Sequence, residues 1–158
     1  MSSRRSLVPR LLVYAALFAI LASGCKGRTA AVSTPDPGGS YQIEWVSVTA
    51  PPSLQPAEVT TMDVSFRNSG ATVISDEMLA ISYHWMDGSD PKRPIVWDGL
   101  RTSVGRPVQP GETVSRQIRV RAPDRPGQYL LTVDLVREGV AWFSGRGSPP
   151  SSHPVTVQ

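Results

Sequence analysis

Pro126-Gly127-Gln128-Tyr129-Leu130-Leu131-Thr132-Val133-Asp134-Leu135-Val136 decides the fold class. Tyr129, Leu131, Val133 and Leu135 alternate with Leu130, Thr132, Asp134 and Val136. A period of two places successive side chains on opposite faces of an extended strand, whereas a helix would need 3.6. Pro126-Gly127 is turn chemistry and brings the chain into that strand.

The same period recurs on both sides. Upstream, Leu79, Ile81, Tyr83 and Trp85 alternate with Ala80, Ser82, His84 and Met86 before an Asp87-Gly88 turn. Met62, Val64 and Phe66 alternate with Asp63, Ser65 and Arg67 before the turn residues Asn68-Ser69-Gly70. Val114, Ile118 and Val120 alternate with Ser115, Gln117 and Arg119, opened by Pro110-Gly111 and closed by Ala122-Pro123. Tyr41, Ile43 and Trp45 begin another run, whose phase then shifts through Val46 and Val48 as it would at a β-bulge. Short strands at Ile95 to Trp97, Val140 to Phe143 and Val155 to Val157 complete a set of about eight. With 15 prolines and 13 glycines in 158 residues, a long helix has no room among them. The pattern predicts an all-β antiparallel sandwich or small barrel over residues 41–158.

The N-terminal part is different in kind. Arg4, Arg5 and Arg10 precede an uncharged apolar run, Leu11 to Ala22, and no acidic residue occurs before Asp36. Twelve apolar residues are too few to span a hydrocarbon core, which needs about 20. A basic region, a short apolar stretch and then small residues is the layout of a secretory signal peptide. Residues 26–40 are small, polar and rich in Pro and Gly, the composition of a flexible tether.

Two resemblances add to this reading. Leu21-Ala22-Ser23-Gly24-Cys25, with the only cysteine of the chain, resembles the lipobox of bacterial lipoproteins, although Ala22 stands where that pattern usually has Leu. The resemblance implies cleavage after residue 24 and lipidation of Cys25. The chain is then divided into a signal peptide (1–24), a lipidated cysteine and linker (25–40) and one domain (41–158). Several acyl chains would hold it firmly, since each buried CH₂ contributes about 0.8 kcal/mol. The anchor would lie in the outer membrane or on the periplasmic face of the inner membrane.

The second resemblance is carried by Pro110-Gly111-Glu112-Thr113-Val114, Ala122-Pro123-Asp124-Arg125-Pro126-Gly127-Gln128-Tyr129 and Glu138-Gly139-Val140-Ala141-Trp142-Phe143, together with Asp63 to Gly70. These are similar to immunoglobulin-like domains found on bacterial lipoproteins, surface proteins and polysaccharide-handling enzymes. The family implies an immunoglobulin-like or fibronectin-III-like sandwich of about seven or eight strands, a tyrosine corner at Tyr129 and a core tryptophan at Trp85. Leu131 stands where antibody-type domains place their second cysteine, so this core must hold without a disulfide.

Charge and chemistry narrow the function. The 16 Lys and Arg lose Arg4, Arg5 and Arg10 with the signal, leaving 13 basic against 13 acidic side chains. A neutral domain has no basic face with which to displace counterions, so nucleic acid is not an expected partner. No catalytic constellation is visible and none is expected. The only histidines are His84, on the polar phase of its strand and read as a surface residue, and His153 in Ser151-Ser152-His153-Pro154. On that reading His84→Ala should be nearly neutral. Asp87-Gly88-Ser89-Asp90, with Asp98 across a hairpin, offers hard oxygens to calcium but equally reads as ordinary turn sequence, and no metal is expected. The adjacent Asp76 and Glu77 would face opposite sides of a strand.

Aromatic residues are the remaining candidates. Tyr83 and Trp85 share phase with Leu79 and Ile81 and belong to the core. Trp97, Trp142 and Phe143 are possible ligand contacts, and because Trp142 and Phe143 are consecutive, one of them must point away from the core. The sequence therefore points to a non-enzymatic module without cofactor, held to the membrane by lipid on Cys25, that binds a protein or glycan partner in the cell envelope or serves there as a structural element. A carbohydrate-binding accessory of a polysaccharide synthesis, export or processing system is the alternative.

Overall fold

The computed structural model describes residues 41–74 and 78–158. The signal segment, Cys25, the linker and the Asp76-Glu77 pair lie outside the described residues. Within them run ten strands: β1 (Ile43–Val48), β2 (Ser53–Leu54), β3 (Val59–Asn68), β4 (Leu79–Asp87), β5 (Pro94–Val96), β6 (Thr102–Ser103), β7 (Thr113–Arg121), β8 (Gly127–Arg137), β9 (Ala141–Trp142) and β10 (Ser151–Val157). A single 3₁₀ turn at Ser144–Arg146 is the only helical element among the described residues.

The strands form two sheets facing one another. One has the order β1-β3-β7; the other has the order β2-β10-β8-β4-β5, with β6 also on β4 and β9 also on β8. Neighbours are antiparallel throughout except β2 and β10, which run parallel. The protein is an all-β sandwich. The triplets β1-β3-β7 and β10-β8-β4 follow the order A-B-E and G-F-C of constant-type immunoglobulin sandwiches; among the described residues the first sheet has these three strands.

Alternation in sequence becomes two-sided geometry. Phe66, Val64 and Met62 of β3 and Val114, Ile118 and Val120 of β7 face Ile81, Tyr83, Trp85, Leu131, Val133 and Leu135 across a single apolar core. The expected phase shift in β1 is a bulge between Trp45 and Ser47 in its pairing with β3. At the end of β3, Asn68 uses its whole side-chain amide to shape the following turn. Its Nδ2 donates to the carbonyls of Thr72 (2.8 Å) and Val108 (3.0 Å), and its Oδ1 accepts from the Gly70 N–H (3.0 Å).

Two aromatic side chains of β4 reach across the core to one residue of the opposite sheet. The Tyr83 hydroxyl accepts from the Arg121 backbone N–H at 2.8 Å, and the Trp85 Nε1 donates to the Arg121 carbonyl at 2.8 Å. Both main-chain groups at the end of β7 are thus satisfied by side chains, which buried backbone polar groups require. Tyr83 and Trp85 meet edge to face at 6.4 Å, and Trp85 meets Tyr129 likewise at 6.1 Å.

Tyr129 forms the corner at the start of β8: its hydroxyl donates to the Arg125 carbonyl at 2.9 Å, two residues before the fully buried Leu131. Tyr129→Phe keeps the ring and deletes that bond. Because the Arg125 carbonyl sits at an exposed corner where water can replace the hydroxyl, the expected cost is about 1 kcal/mol. Denaturant melts with unchanged slope would measure it; identical midpoints for Tyr129→Phe and the parent would remove the corner's energetic role.

Candidate functional site

The long sheet has a second face, directed away from the core, and it is not simply solvated. His84, Thr132 and Ser152 form one row across β4, β8 and β10. Ser82 and Asp134 are paired on one side of that row, and Met86, Leu130 and Pro154 lie on the other. His84 is only 3% exposed, and Ser82, Thr132 and Asp134 are buried with it. The expectation of a surface histidine is therefore corrected: the polar phase of β4 is covered by Trp97 and Trp142, from two segments, residues 91–101, which pair along the edge of β4, and residues 141–150.

Local sequence explains how the first segment lies so close. Gly99 donates its N–H to the Tyr83 carbonyl at 2.9 Å, and a Cβ there would stand 2.6 Å from the Tyr83 ring. No other residue fits without displacing the segment. Arg101 then fixes it in place. Its guanidinium donates to Ser82 Oγ (2.8 Å), the Gly99 carbonyl (2.8 Å), Asp98 (2.8 Å) and Glu138 (2.7 Å), and its carbon lies 4.8 Å over the Trp142 ring. One side chain so ties both covering segments to the sheet. A planar fork with five donors can satisfy this set, and a lysine ammonium cannot.

Between the segments His84 is held in an aromatic sandwich. Trp97 stacks on it at 4.1 Å with 22° between the planes, and Trp142 packs at 4.2 Å with a tilt of 56°. Nδ1 of His84 contacts the Trp97 carbonyl. A carbonyl only accepts, so this nitrogen carries the proton and donates. Nε2 is then an acceptor, and it is buried with no hydrogen-bond partner among the described residues. Burial lowers the His84 pKa below the ordinary histidine value, against the opposing pull of the Trp97 carbonyl and Asp134. The ring is neutral at neutral pH. Burial likewise raises the Asp134 pKa, opposed by hydrogen bonds from Ser144 and from the Leu135 N–H, the latter at 2.7 Å to Oδ1.

Beside this sandwich lies a groove of about 230 Å³, open to solvent, bounded by Met86, Leu130 and Pro150 and by the hydroxyls of Thr132, Ser144 and Ser152; His84 and Trp97 form its aromatic wall. No side chain lining it carries a formal charge at neutral pH. Trp97 is 49% exposed, so much of its indole faces solvent.

Of the sequence candidates, Trp97 and Trp142 meet here, 6.2 Å apart edge to face. Phe143 does not join them. It is 1% exposed and packs in the core against Tyr41 at 4.7 Å, which leaves its ring no surface to offer a ligand. The alternation at 142 and 143 sends Trp142 outward and Phe143 inward. His84, the centre of the arrangement, was not among the expected contacts.

Among the described residues His84 is not hydrogen-bonded to a serine hydroxyl. His84 Nδ1 is directed at a backbone carbonyl rather than a carboxylate, and the Ser152 hydroxyl pairs with Thr132 at 3.0 Å rather than with an imidazole. A nucleophile and its base must be within hydrogen-bond reach. His153, on β10, pairs with its neighbour Ser151 at 2.8 Å. The Asp87 carboxylate acts as a turn clasp: the hydrogen bonds it accepts from the Ser89 hydroxyl and N–H, and after them its pairing with Arg93, hold its pKa down to about 2. Asp98 is engaged by Arg101. Among the described residues no three His, Cys, Asp or Glu side chains converge on a metal-sized space.

No protein-family model matches the chain, and no curated protein matches it in sequence. Solved structures resemble it in part. A β-glucosidase from Listeria innocua aligns at 15% identity and a TM-score of 0.45, over 73% of this chain and 16% of that one. The sporulation control protein Spo0M from Bacillus subtilis aligns at 14% identity and 0.49, over 76% of this chain and 50% of that one. The CARDB domain of PF1109 from Pyrococcus furiosus aligns at 11% identity and 0.44, over 73% of this chain and 92% of that one. The chain thus spans about a sixth of the length of the β-glucosidase it resembles. These likenesses bear on neither substrate nor chemistry.

Proposed function

We propose that the chain is an exported, lipid-anchored and non-catalytic immunoglobulin-like module of the bacterial cell envelope that works by binding through the outer face of its long sheet. The observation that supports binding is the half-exposed Trp97 standing over a buried histidine beside an uncharged groove. Nothing in the core's construction needs an indole in that position. The anchoring part rests on the order of basic, apolar and small residues that ends at Cys25.

A carbohydrate-binding accessory role is the second reading. It is favoured by the combination of an exposed aromatic face with the hydroxyls of Thr132, Ser144 and Ser152.

Cys25→Ser tests the anchor. The variant is expected to accumulate as uncleaved precursor and to take up no alkyne-bearing fatty acid, while the parent is labelled and sediments with membranes. Labelling and fractionation of the variant like the parent would refute lipid attachment at this residue.

A further inference from the structure

We propose that the groove beside Trp97, which His84 also lines, is a binding site for a neutral hexopyranose, one sugar ring packing against the part of the indole that borders the groove and one of its hydroxyls donating to His84 Nε2. The inference rests on the binding-module reading and gives its ligand a chemical class.

Three properties of the groove converge on that class. First, its lining bears no formal charge, so a charged ligand would leave water without a counter-charge to receive it. Second, the lining combines the apolar Trp97, Met86, Leu130, Pro91 and Pro150 with the hydroxyl-bearing Thr132, Ser144 and Ser152. An apolar surface with a few placed polar groups is the general form of a ligand site. A pyranose with equatorial hydroxyls matches it, because its axial C–H bonds make a flat apolar face and its hydroxyls radiate from the edge. The C–H hydrogens are weakly positive and meet the negative face of the indole quadrupole.

Third, His84 Nε2 is a buried acceptor without a donor among the described residues. Such a group costs stability unless it is satisfied. The tautomer is fixed by the contact of Nδ1 with the Trp97 carbonyl, so the free nitrogen requires a donor and cannot supply one. A sugar hydroxyl supplies it. His84 itself lines the groove, next to the half-exposed Trp97. The groove's volume, about 230 Å³, is below the usual range for drug-sized ligands and suits one sugar unit, with the remainder of an oligosaccharide extending into solvent.

The experiment titrates the full chain with cellopentaose, laminaripentaose and chitopentaose at millimolar concentration, and with acetyl-leucine amide as an apolar, amide-bearing comparison. The four tryptophan indole N–H signals are followed by nuclear magnetic resonance. The expected result is a saturable shift of Trp97 and Trp142 with at least one glycan, with Trp85 unmoved. Trp97→Ala should weaken binding at least about tenfold. Arg119→Ala, on the opposite sheet, should leave it unchanged. His84→Gln, folded by circular dichroism, should weaken binding while the Trp142 signal still responds. Overturning results are no response to any of the three glycans, equal affinity in Trp97→Ala, or a response to acetyl-leucine amide matching that to the glycans. None of these would alter the fatty-acid labelling of Cys25, so the sugar site and the anchored module fail separately.

Discussion

Trp85→Ala is expected to remove about 3–5 kcal/mol of folding stability, a large part of the 5–15 kcal/mol that holds a typical domain. Trp85 is fully buried and touches Tyr83 and Tyr129 edge to face. Truncation leaves a cavity in the middle of the core that the flanking sheets cannot close, because each is fixed by its own ladder. It also orphans the Arg121 carbonyl, which the indole N–H caps at 2.8 Å. Trp85→Phe fills most of the cavity but leaves the carbonyl orphaned, so it should fall between the parent and alanine. Chemical denaturation followed by circular dichroism separates the three. A loss below about 1 kcal/mol for alanine would mean that the cross-sheet contact carries little of the stability.

His84→Ala is the second large effect, expected at about 2–4 kcal/mol because it empties the space between two indoles that pack on the imidazole. This reverses the near-neutral outcome that the polar phase of the strand suggests. The pH dependence supplies a separate check. In the folded protein burial holds the His84 pKa below its ordinary value, while in the unfolded chain it titrates near 6.5. As pH falls through about 6.5, the unfolded state takes up a proton that the folded state refuses, so stability declines there. His84→Phe keeps an aromatic ring in the stack and cannot take up that proton, so its stability should be flatter between about pH 7 and 5. His153, whose pKa burial also lowers, contributes a slope of the same sign to both proteins. Asp134, with its raised pKa, contributes the opposite sign, losing stability as pH rises from the unfolded carboxyl value near 3.8. The difference between parent and His84→Phe therefore reports the imidazole together with its coupling to Asp134. Equal slopes would place His84 in solvent.

Strand period made the core legible. Each residue read as inward in β4 and β8 is in the core, because a pleated chain leaves its side chains no choice of face. The outer face was misread for a physical reason. Alternation reports which residues share a face and does not report whether that face meets water. The warning was present in the residue types: Ala80, Ser82, His84 and Met86 hold no obligate charge, and Leu130 and Val136 lie on the supposedly polar side of β8. A strand apolar on both sides is covered on both. The segments that cover it were legible only as short strands at Ile95 to Trp97 and Val140 to Phe143, and a short strand does not report that its tryptophan folds over the neighbouring face.

Two strand boundaries were hidden by proline. β2 lies between Pro52 and Pro56, and Pro154 is the middle residue of β10. Proline is tolerated in β10 because it pairs with Leu130 of β8 on one side, while β2 reaches only Thr156 and Val157 on the other. The candidate site was half visible. Trp97 and Trp142 stood out by type, Phe143 stood out wrongly, and His84 joined them only through the fold.

The parallel pairing of β2 with β10 has a mechanical consequence. Thr156 donates to the Pro52 carbonyl at 3.0 Å and Gln158 to the Leu54 carbonyl at 3.0 Å, so a strand near the start of the domain is fastened to its last strand. A pull between the two ends draws β2 and β10 in opposite directions along a shared axis. Their hydrogen bonds are then loaded in shear and share the force, instead of opening one after another as in a peeled hairpin. A two-residue strand thereby resists tension out of proportion to its length.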